Sequence, residues 1–376
     1  MFASDAPAAI RPSERALLPD VLRGLALLGI LCVNAQDFAG YGEWTQRGGD
    51  RAAQIVIDLF FNGKFISVFA MLFGAGAFTL LERGGRALLL RRLAVLLLVG
   101  TLHYILVWHG DIIANYAVVG LALVLLEQAR PRTLALVGGF AAGWWAINFT
   151  LVAAAAPRGL RSLPGTVFAN QTYADIVSER AHDFLPGLGS VVGFDGFWLL
   201  ALFCFGGALY RSGVLWWPQQ HRDTLNRLLR WGLGLGLPLS ALLAYFNTQS
   251  SYGAELWSIL VRLTGGMALG LGYIGGLGLL TASGKLGWLR VFAASGRLAM
   301  SNYIAQSLIM TSVFYPYGLR QYGQWGALPA LLLALGLGLA QVWLSGLYLR
   351  HFSSGPLEWL VRQAVYWRGW TRQRRN

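Results

Sequence analysis

Residues 20–34 read Asp20-Val-Leu-Arg23-Gly-Leu-Ala-Leu-Leu-Gly-Ile-Leu-Cys-Val-Asn34, an apolar run with a charged pair at its start and an amide at its end. Asp20 and Arg23 stand three residues apart, so a helix places them on one side, where they can form an ion pair. The stretch 19–38 that contains them is long and apolar enough to cross hydrocarbon. Charges and amides within a spanning helix are costly and usually line a protein cavity or a site. We therefore expect the function of the chain to lie beside this helix.

The composition of the whole chain indicates an integral membrane protein. Of its 376 residues, 56% are hydrophobic and only 12% are charged, which lies outside the range of soluble globular domains. We predict an all-α, polytopic fold with about ten transmembrane helices. The predicted helices are 19–38, 54–80, 91–108, 112–129, 133–155, 188–210, 228–247, 257–282, 297–317 and 326–349.

The positions of Lys and Arg predict the orientation of these helices. Most of them fall on alternate loops, beginning with the segment before the first helix, and cytoplasmic loops hold the excess of these residues. Both termini are therefore predicted to be cytoplasmic. The net charge of +13 then follows from topology, and the short basic loops contain no nucleic-acid-binding motif. The expected partners are anionic lipid head groups or an anionic cytosolic ligand.

We predict a single transmembrane domain that occupies the whole chain. Its peripheral parts are a cytoplasmic arm at 1–18, an external loop at 157–187 and a basic, cytoplasmic, interfacial segment at 351–376. Within the external loop, an apolar stripe at helical spacing predicts a short amphipathic helix that lies on the membrane surface or acts as a substrate lid. Gly266 and Gly270 are four residues apart, which favours close helix packing within the bundle or at a homodimer face.

A predicted hairpin near residue 109 carries two candidate catalytic residues. At 1.5 Å per residue, His103 lies about 9 Å below His109 along its helix and is therefore submerged. A submerged imidazole either ties two helices together or takes part in catalysis. Asp111 either caps the following helix or orients an imidazole. The sequence leaves both pairs of alternatives open.

Further polar residues at membrane depth predict a hydrated cavity in the outer half of the bundle. Lys64 either pairs with Asp58 or another carboxylate, or it binds an anionic substrate group. Asp195 and Arg262 lie on different helices at similar depth and are candidates for a buried ion pair. Asn302 belongs to a polar stripe that either forms interhelical hydrogen bonds or lines the cavity. The residues predicted to line a substrate cavity are Asp58, Asn115, Asp195, Arg262 and Asn302.

Arginine gathers at the inner turn between the second and third predicted helices. The group comprises Arg83, Arg86, Arg91 and Arg92. Guanidinium groups match phosphate oxygens in a bidentate manner, so this group favours a phosphate-rich ligand. The enrichment of arginine in cytoplasmic loops explains the same residues without any ligand.

Several ordered motifs carry a family resemblance. They are Asp20–Ile30, Gly63-Lys64-Phe65, Leu72–Gly76, Arg91-Arg92, His103, Trp108–Asp111, Gly296–Tyr303 and Gly355–Trp359. Together they closely resemble the YeiB family of uncharacterised bacterial inner-membrane proteins, a family without a settled activity. This resemblance implies a multi-pass protein of the bacterial inner membrane.

The element from Arg23 to Asn34 also resembles, more remotely, the first helix of the transmembrane acyltransferases. Acyltransferase-3 proteins have a catalytic His eleven residues after the Arg, at the position of Asn34. The lysosomal heparan-α-glucosaminide N-acetyltransferase is closer, with Arg-Gly and Val-Asn at this spacing and its catalytic His in the next luminal loop. This chain has no His between Gly40 and Lys64. The difference either removes catalysis or moves it onto His103.

The remote resemblance implies transfer of an acyl group from cytosolic acyl-CoA or acetyl-CoA to a small-molecule or glycan acceptor outside, without a metal. His103 would act as base, Asp111 would orient it, and Asn34 would either stabilise the oxyanion or position the acceptor. Asn34 and His103 are therefore expected to share one void. The donor-binding residues would be Arg23, Lys64, Arg83, Arg86, Arg91 and Arg92. Two other hypotheses are a transporter or flippase that moves a small anion or lipid through the same polar interior, and a non-catalytic sensor or scaffold.

Overall fold

The computed structural model describes residues 16–157, 159–161 and 171–366, and over these residues the fold is built from α-helices. The helices are α1 (Leu17–Ala39), α2 (Gly48–Phe60), α3 (Lys64–Leu106), α4 (Ile113–Gly120), α5 (Pro131–Ala154), α6 (Tyr173–Phe194), α7 (Gly196–Arg211), α8 (Arg222–Phe246), α9 (Tyr252–Ala282), α10 (Phe292–Arg297), α11 (Ala299–Phe314), α12 (Ala327–His351) and α13 (Pro356–Val365). A 3-10 helix, Leu121–Leu126, extends α4. The predicted all-α class is confirmed for the described part of the chain.

Among the described residues, six helical stretches are long and apolar enough to cross a membrane, or seven when the bent pair α6–α7 is counted as one span. Large apolar side chains also cover outward-facing surfaces. Helix α5, for example, exposes Leu136, Phe140, Ile147 and Leu151. Apolar helices with exposed apolar faces are typical of proteins whose solvent is lipid. These features identify a multi-pass membrane protein.

A break interrupts one predicted helix, and another break lies at the start of a second. The segment 54–80 is divided between α2 and α3 at Gly63, which has a φ of 83°. Glycine adopts this left-handed conformation at little cost, and a Cβ at this position would overlap the carbonyl oxygen of Arg262. The predicted helix 297–317 corresponds to α11, and a break at Leu298 separates α11 from the short helix α10 before it. Hydropathy reports apolar length and is insensitive to such single-residue breaks.

Between residues 81 and 90 the sequence predicts a loop, but the structure has a helix there. Helix α3 continues through this stretch, with one non-helical residue, Gly85 (φ 65°, ψ −167°). The Leu, Ala and Arg residues on either side are strong helix formers, so the chain changes direction at one glycine rather than over a long loop.

Helix α6 begins inside the predicted external loop and bends into α7. Thr172 and Asp175 form a reciprocal capping box that fixes its start. The axis turns by 63° between α6 and α7, at Asp195. The predicted amphipathic helix is therefore the first part of a longer helix, and the predicted segment 188–210 is two helices. The predicted features at 1–15, Arg158, 162–170 and 367–376 lie outside the described residues.

Glycine allows α1 and α10 to touch through their backbones. A Cβ at Gly24 would overlap a carbonyl oxygen of α10, and a Cβ at Gly296 would overlap a carbonyl oxygen of α1. Small residues permit helix crossings this close. The crossing places the neighbours of these glycines, Arg23 and Arg297, on the wall of one cavity.

The closely spaced glycines of α9 pack within the chain. Gly266 lies against the backbone of Gly63, and Gly272 lies against Gly232 of α8. Of the two interpretations of the glycine spacing, packing inside the bundle accounts for these contacts.

Candidate functional site

A cavity of about 390 Å³ lies near the end of the bundle where arginine gathers, and we call it the Arg-lined cavity. Asp20 and Arg23 on its wall form the predicted ion pair, with an N–O distance of 3.0 Å. Deeper in, the wall becomes apolar. The charged lining comprises Asp20, Arg23, Arg83, Arg92, Arg297 and Glu358, and the apolar lining includes Leu27, Leu72, Phe73 and Met300. This combination suits a ligand with an anionic part and an apolar part.

The four arginines predicted at the inner turn are divided between this cavity and other surfaces. Arg83 and Arg92 line the cavity, and the Arg92 guanidinium lies 5.6 Å from the centroid of an aromatic ring, in a cation–π contact. Arg86 instead donates from Nε to Glu127, at 2.6 Å. Arg91 does not line the cavity. Sequence proximity alone therefore overstates the size of the group that a ligand could contact.

Glu358 of α13 connects the C-terminal helix to the same cavity. Its carboxylate accepts hydrogen bonds from the backbone amides of Met300 and Ser301, at 2.7 and 3.0 Å, in the first turn of α11. These amides have no partner within their own helix, and the helix dipole also favours a carboxylate there. The sequence predicts only an interfacial anchor for this segment. The acidic residue within the Gly355–Trp359 motif is the signal that points to the capping role.

Replacing Glu358 with alanine is expected to lower the free energy of unfolding by about 2–3 kcal/mol, because charge-assisted hydrogen bonds to the start of α11 are lost. Denaturant unfolding of the detergent-solubilised protein measures the change. Glu127→Ala removes a carboxylate that binds the exposed Arg86, and it should cost less than about 1 kcal/mol. Equal losses in the two variants would contradict the capping role.

A second cavity, of about 260 Å³, carries five Asn, Asp and Arg side chains in a mostly apolar lining. They are Asn34, Asn62, Asn115, Asp195 and Arg262, and we call it the Asn-lined cavity. Two helix breaks meet there, namely the turn at Gly63 and the bend at Asp195. Irregular backbone at membrane depth is tolerated where it lines a cavity, and broken helices form ligand sites in many transporters. The structure thus brings four predicted polar residues, Asn34, Asn115, Asp195 and Arg262, onto one wall.

Asp195 and Arg262 face this cavity without forming the ion pair expected from the sequence. Asp195 Oδ1 accepts a hydrogen bond from Trp145 Nε1, at 3.1 Å. Arg262 makes no hydrogen bond or ion pair with any residue that the structure describes, and its Nε is buried without a partner. Both charged groups therefore keep polar atoms available to a ligand.

The two cavities share part of their walls. Ile30, Ile112 and Tyr116 line both of them. Tyr116 is held by edge contacts with the rings of Phe73 and Phe203, each at a centroid distance of 5.2 Å. A single layer of side chains therefore separates the Arg-lined cavity from the Asn-lined cavity at this point.

His103 and Asp111 form a buried pair at the end of α3 and the start of α4. His103 Nδ1 lies 2.9 Å from Asp111 Oδ1, and the two side chains are 1% and 0% exposed. Asp111 Oδ2 accepts a hydrogen bond from the Ala114 backbone amide at 2.8 Å, so Asp111 caps α4 and also binds the imidazole. The two alternatives for Asp111 are therefore both present. His103 Nε2 is buried without a hydrogen-bond partner.

His103 and Asn34 do not share a void, contrary to expectation. Asn34 lines the Asn-lined cavity, whereas His103 lines neither of the two cavities. Tyr303 links the imidazole to the Arg-lined cavity, because it lines that cavity and its ring centroid lies 5.2 Å from that of His103. The helical positions alone do not reveal this intervening ring.

Three other predicted site residues take part in contacts within the protein. Lys64 is fully buried and donates to the backbone carbonyl of Asp58, not to its carboxylate. The Asp58 carboxylate accepts a hydrogen bond from Asn62, at 3.0 Å. Asn302 donates across to Ser345 Oγ, at 2.9 Å. For Asn302, interhelical hydrogen bonding is therefore the alternative that the structure shows.

Comparisons with known proteins place the chain in a family. A family model described as "Protein of unknown function (DUF418)" matches residues 209–368. The chain is 30% identical to the uncharacterized protein YxaH of Bacillus subtilis (strain 168), over 94% of this chain and 95% of that protein. It is also 30% identical to the uncharacterized protein YeiB of Escherichia coli (strain K12), over 93% of this chain and 96% of that protein. The chain belongs to the YeiB family.

The YeiB-family similarity covers more than the region that the family model matches. Residues 209–368 include Arg262, Arg297 and Glu358, and so contain part of the wall of each cavity. The relatives align over nearly the whole chain, including the region of α1 to α4 that supplies the remaining walls. Both cavities therefore belong to the part of the chain that resembles its relatives.

A further cluster in this YeiB-family chain was not predicted from the sequence. Trp108 Nε1 donates to Asp37 Oδ2, at 3.0 Å, and His109 Nε2 lies 3.3 Å from the same oxygen. His109, at the predicted hairpin, thus contacts the end of α1. Burial, and then the charge of Asp37, raise the pKa of the nearby Tyr322 to about 12, so this phenol stays neutral at ordinary pH. The acidic residue three positions after Asn34 is the signal for this contact.

Proposed function

We propose that this YeiB-family protein is a transmembrane acyltransferase that moves an acyl group from acyl-CoA to an acceptor that approaches from the other membrane face. The observation that carries the proposal is the pair of cavities, one rich in arginine and one rich in amides, with a single layer of side chains between them. Donor and acceptor could then bind separately and meet at the wall formed by Ile30, Ile112 and Tyr116.

We also propose ten spans, with both termini in the cytosol of a bacterial cell and the protein in the inner membrane. The count reaches ten if α3 is two spans divided at Gly85, and if α4 with its 3-10 extension and α10–α11 each cross as well. The Arg-lined cavity would then open toward the cytosol, where basic residues are enriched. Expected partners are anionic lipids at that face and a second copy of the chain.

The Arg-lined cavity fits acyl-CoA by charge and by polarity. Guanidinium groups bind phosphate oxygens in bidentate pairs, and the apolar wall beyond them suits an acyl group. The cavity residues assigned to the donor are Arg23, Arg83, Arg92 and Arg297. The sequence also predicts Lys64, Arg86 and Arg91 as donor-binding residues, but these three do not line the cavity.

In the proposed reaction, a hydroxyl or amine of a small-molecule or glycan acceptor attacks the thioester carbon. A C–O or C–N bond forms and the C–S bond breaks. The proton of the acceptor passes to His103 Nε2 and then to the departing CoA thiolate. Asp111 holds Nδ1, which leaves Nε2 as the nitrogen that can exchange a proton. Asn34 would donate a hydrogen bond to the oxyanion.

This reaction requires His103 Nε2 to reach the wall between the cavities. A buried imidazole nitrogen without a partner is costly at membrane depth, as expected of a group that is kept for function. Ile112 lines both cavities and follows Asp111 in the chain, while Tyr303 packs beside the imidazole. Movement of Tyr303 when substrate binds would open a path from the Arg-lined cavity to Nε2.

Purified protein offered radiolabelled acetyl-CoA, together with a small-molecule and lipid extract of bacterial envelopes, tests the proposal. Release of free CoA above the rate in protein-free detergent, with label recovered in a new compound, supports acyl transfer. Quantitative recovery of intact acetyl-CoA would contradict it.

Arg92→Gln is expected to raise the KM for acetyl-CoA by about 10-fold or more, because a charge-assisted contact to phosphate is lost. Initial rates of CoA release over a range of acetyl-CoA concentrations measure the change. Arg86→Gln is the matched control, since Arg86 binds Glu127 and lies outside the cavity lining, and its KM should not change. If both variants had the same KM, the Arg-lined cavity would not be the donor site.

The two helix breaks at the Asn-lined cavity favour a second candidate function, a transporter or flippase of a small anion or lipid. Discontinuous helices at a polar site near the middle of a bundle are typical of secondary transporters. Uptake of a labelled compound into proteoliposomes without chemical change would favour transport. Chemical conversion of acetyl-CoA by the same preparation would favour transfer.

A further inference from the structure

We propose that the Asn-lined cavity binds a small zwitterion, with its anionic group on Arg262 and its ammonium group on Asp195. The proposal identifies the chemical class of the acceptor and rests on the proposed acyl transfer for that role alone. Binding itself depends only on the charges and shape of the cavity. Arg262 and Asp195 both line this cavity.

Asp195 and Arg262 are costly to place inside the bundle, because both are charged. Charged side chains at membrane depth are expensive unless they are paired and hydrogen-bonded. Arg262 has no hydrogen bond or ion pair within the described residues, and Asp195 is bound by the neutral indole of Trp145. The two groups line one cavity and attract each other through space, yet they form no direct ion pair. A ligand that carries both charges would compensate both at once.

The two charged groups lie at different breaks in the helix bundle. Asp195 stands at the 63° bend between α6 and α7, and Arg262 lies on α9, against the turn at Gly63. Each charge is therefore fixed by a different break in the bundle, which keeps the two apart. Opposite charges that line one cavity without direct contact suit a short molecule with opposite charges at its ends.

The uncharged polar side chains of the cavity also suit a zwitterion. Asn62 and Asn115 donate their side-chain NH₂ groups to Asp58 and to the Asp111 carbonyl, so their amide oxygens remain for a ligand. Ammonium groups are donors only, and they suit such oxygens. Asn34 has no side-chain hydrogen bond within the described residues and supplies both a donor and an acceptor. A cavity of about 260 Å³ admits a ligand of a few non-hydrogen atoms rather than an oligosaccharide.

O-Phosphoethanolamine is the probe, because it carries a phosphate and an ammonium group on a two-carbon chain. Calorimetry with the purified full-length protein should show saturable binding at one site per chain. Ethanolamine and methyl phosphate each carry one of the two charges, and glucose carries neither. We expect each of these three to bind at least about 10-fold more weakly, because a charge-assisted contact is absent.

Arg262→Gln and Asp195→Asn should each weaken binding of O-phosphoethanolamine at least about 10-fold. Arg86→Gln, at a residue that binds Glu127 and lines neither cavity, should leave it unchanged. The stability of the Arg262→Gln variant without ligand separates a binding role from a structural one. Its thermal midpoint should equal or exceed that of the parent protein, because a charge without a direct partner is removed from the interior. A marked fall in that midpoint, with O-phosphoethanolamine affinity unchanged in the residual folded protein, would overturn the proposal.

The outcomes also separate this proposal from acyl transfer. Binding of O-phosphoethanolamine that depends on Arg262 and Asp195, without turnover of acetyl-CoA, would support the zwitterion site while contradicting the acyltransferase. Turnover of acetyl-CoA without binding of O-phosphoethanolamine, or glucose bound as tightly as O-phosphoethanolamine, would overturn the zwitterion site and leave the acyltransferase intact.

Discussion

Replacing His103 with alanine is expected to reduce the kcat for CoA release by about 10²–10⁴-fold, the contribution that a general base usually makes. The reason is that Nε2 is the only imidazole nitrogen not already bound to Asp111. His103→Gln should not restore the rate, because an amide cannot accept and return a proton at neutral pH. Rates at saturating acetyl-CoA in detergent measure the effect.

His109→Ala is the control for this result. His109 lies in the same hairpin and also contacts a carboxylate, Asp37, but its side chain is 38% exposed and lies outside the proposed reaction. Its kcat should stay within about threefold of the parent. If His103→Ala kept the parental kcat while its unfolding midpoint fell, the pair with Asp111 would only tie two helices together, which is the non-catalytic interpretation of a submerged histidine.

Replacing Gly24 with valine is expected to destabilise the protein by about 3 kcal/mol, the upper end of the usual cost of overpacking. The new Cβ would overlap a backbone carbonyl of α10, and backbone cannot move aside as the end of a flexible side chain can. Because this crossing positions Arg23 and Arg297, affinity for acetyl-CoA should fall as well.

Gly139→Val on α5 is the matched control, because it has the same change in helix propensity but open space around the new Cβ. Its unfolding midpoint in detergent should stay near that of the parent. Equal destabilisation of the two variants would mean that the loss arises from valine in a helix and not from the contact between α1 and α10.

The polar residues of the first helix could be interpreted from the sequence because local spacing determines their contacts. Asp20 and Arg23 pair as their three-residue spacing predicts. Asp111 caps α4 because it precedes an apolar run, and it binds His103 because a short hairpin brings the two together. In each case the partners are fewer than ten residues apart, so few chain conformations can separate them.

The remaining features depend on contacts between distant parts of the chain. At the break, Gly63 packs against the Arg262 carbonyl of α9, which leaves no room for a Cβ, and the bend at Asp195 lies in a segment whose hydropathy is continuous. Depth along a helix places Asn34 and His103 at similar levels, but it does not say which way each side chain faces around the bundle. This rotation decides that Asn34 lines a cavity and that His103 lies beside Tyr303.

The proposed acyl transfer across the membrane requires two cavities that open to opposite membrane faces and meet only at Ile30, Ile112 and Tyr116. Asn34→Cys and Met300→Cys place one thiol in each cavity, and the native Cys32 and Cys204 are fully buried. Labelling of the two variants in cells and in inverted vesicles with a membrane-impermeant thiol reagent is the most direct test. We expect Asn34→Cys to react only in intact cells and Met300→Cys only in inverted vesicles. Reaction of both thiols from the same side would contradict the account.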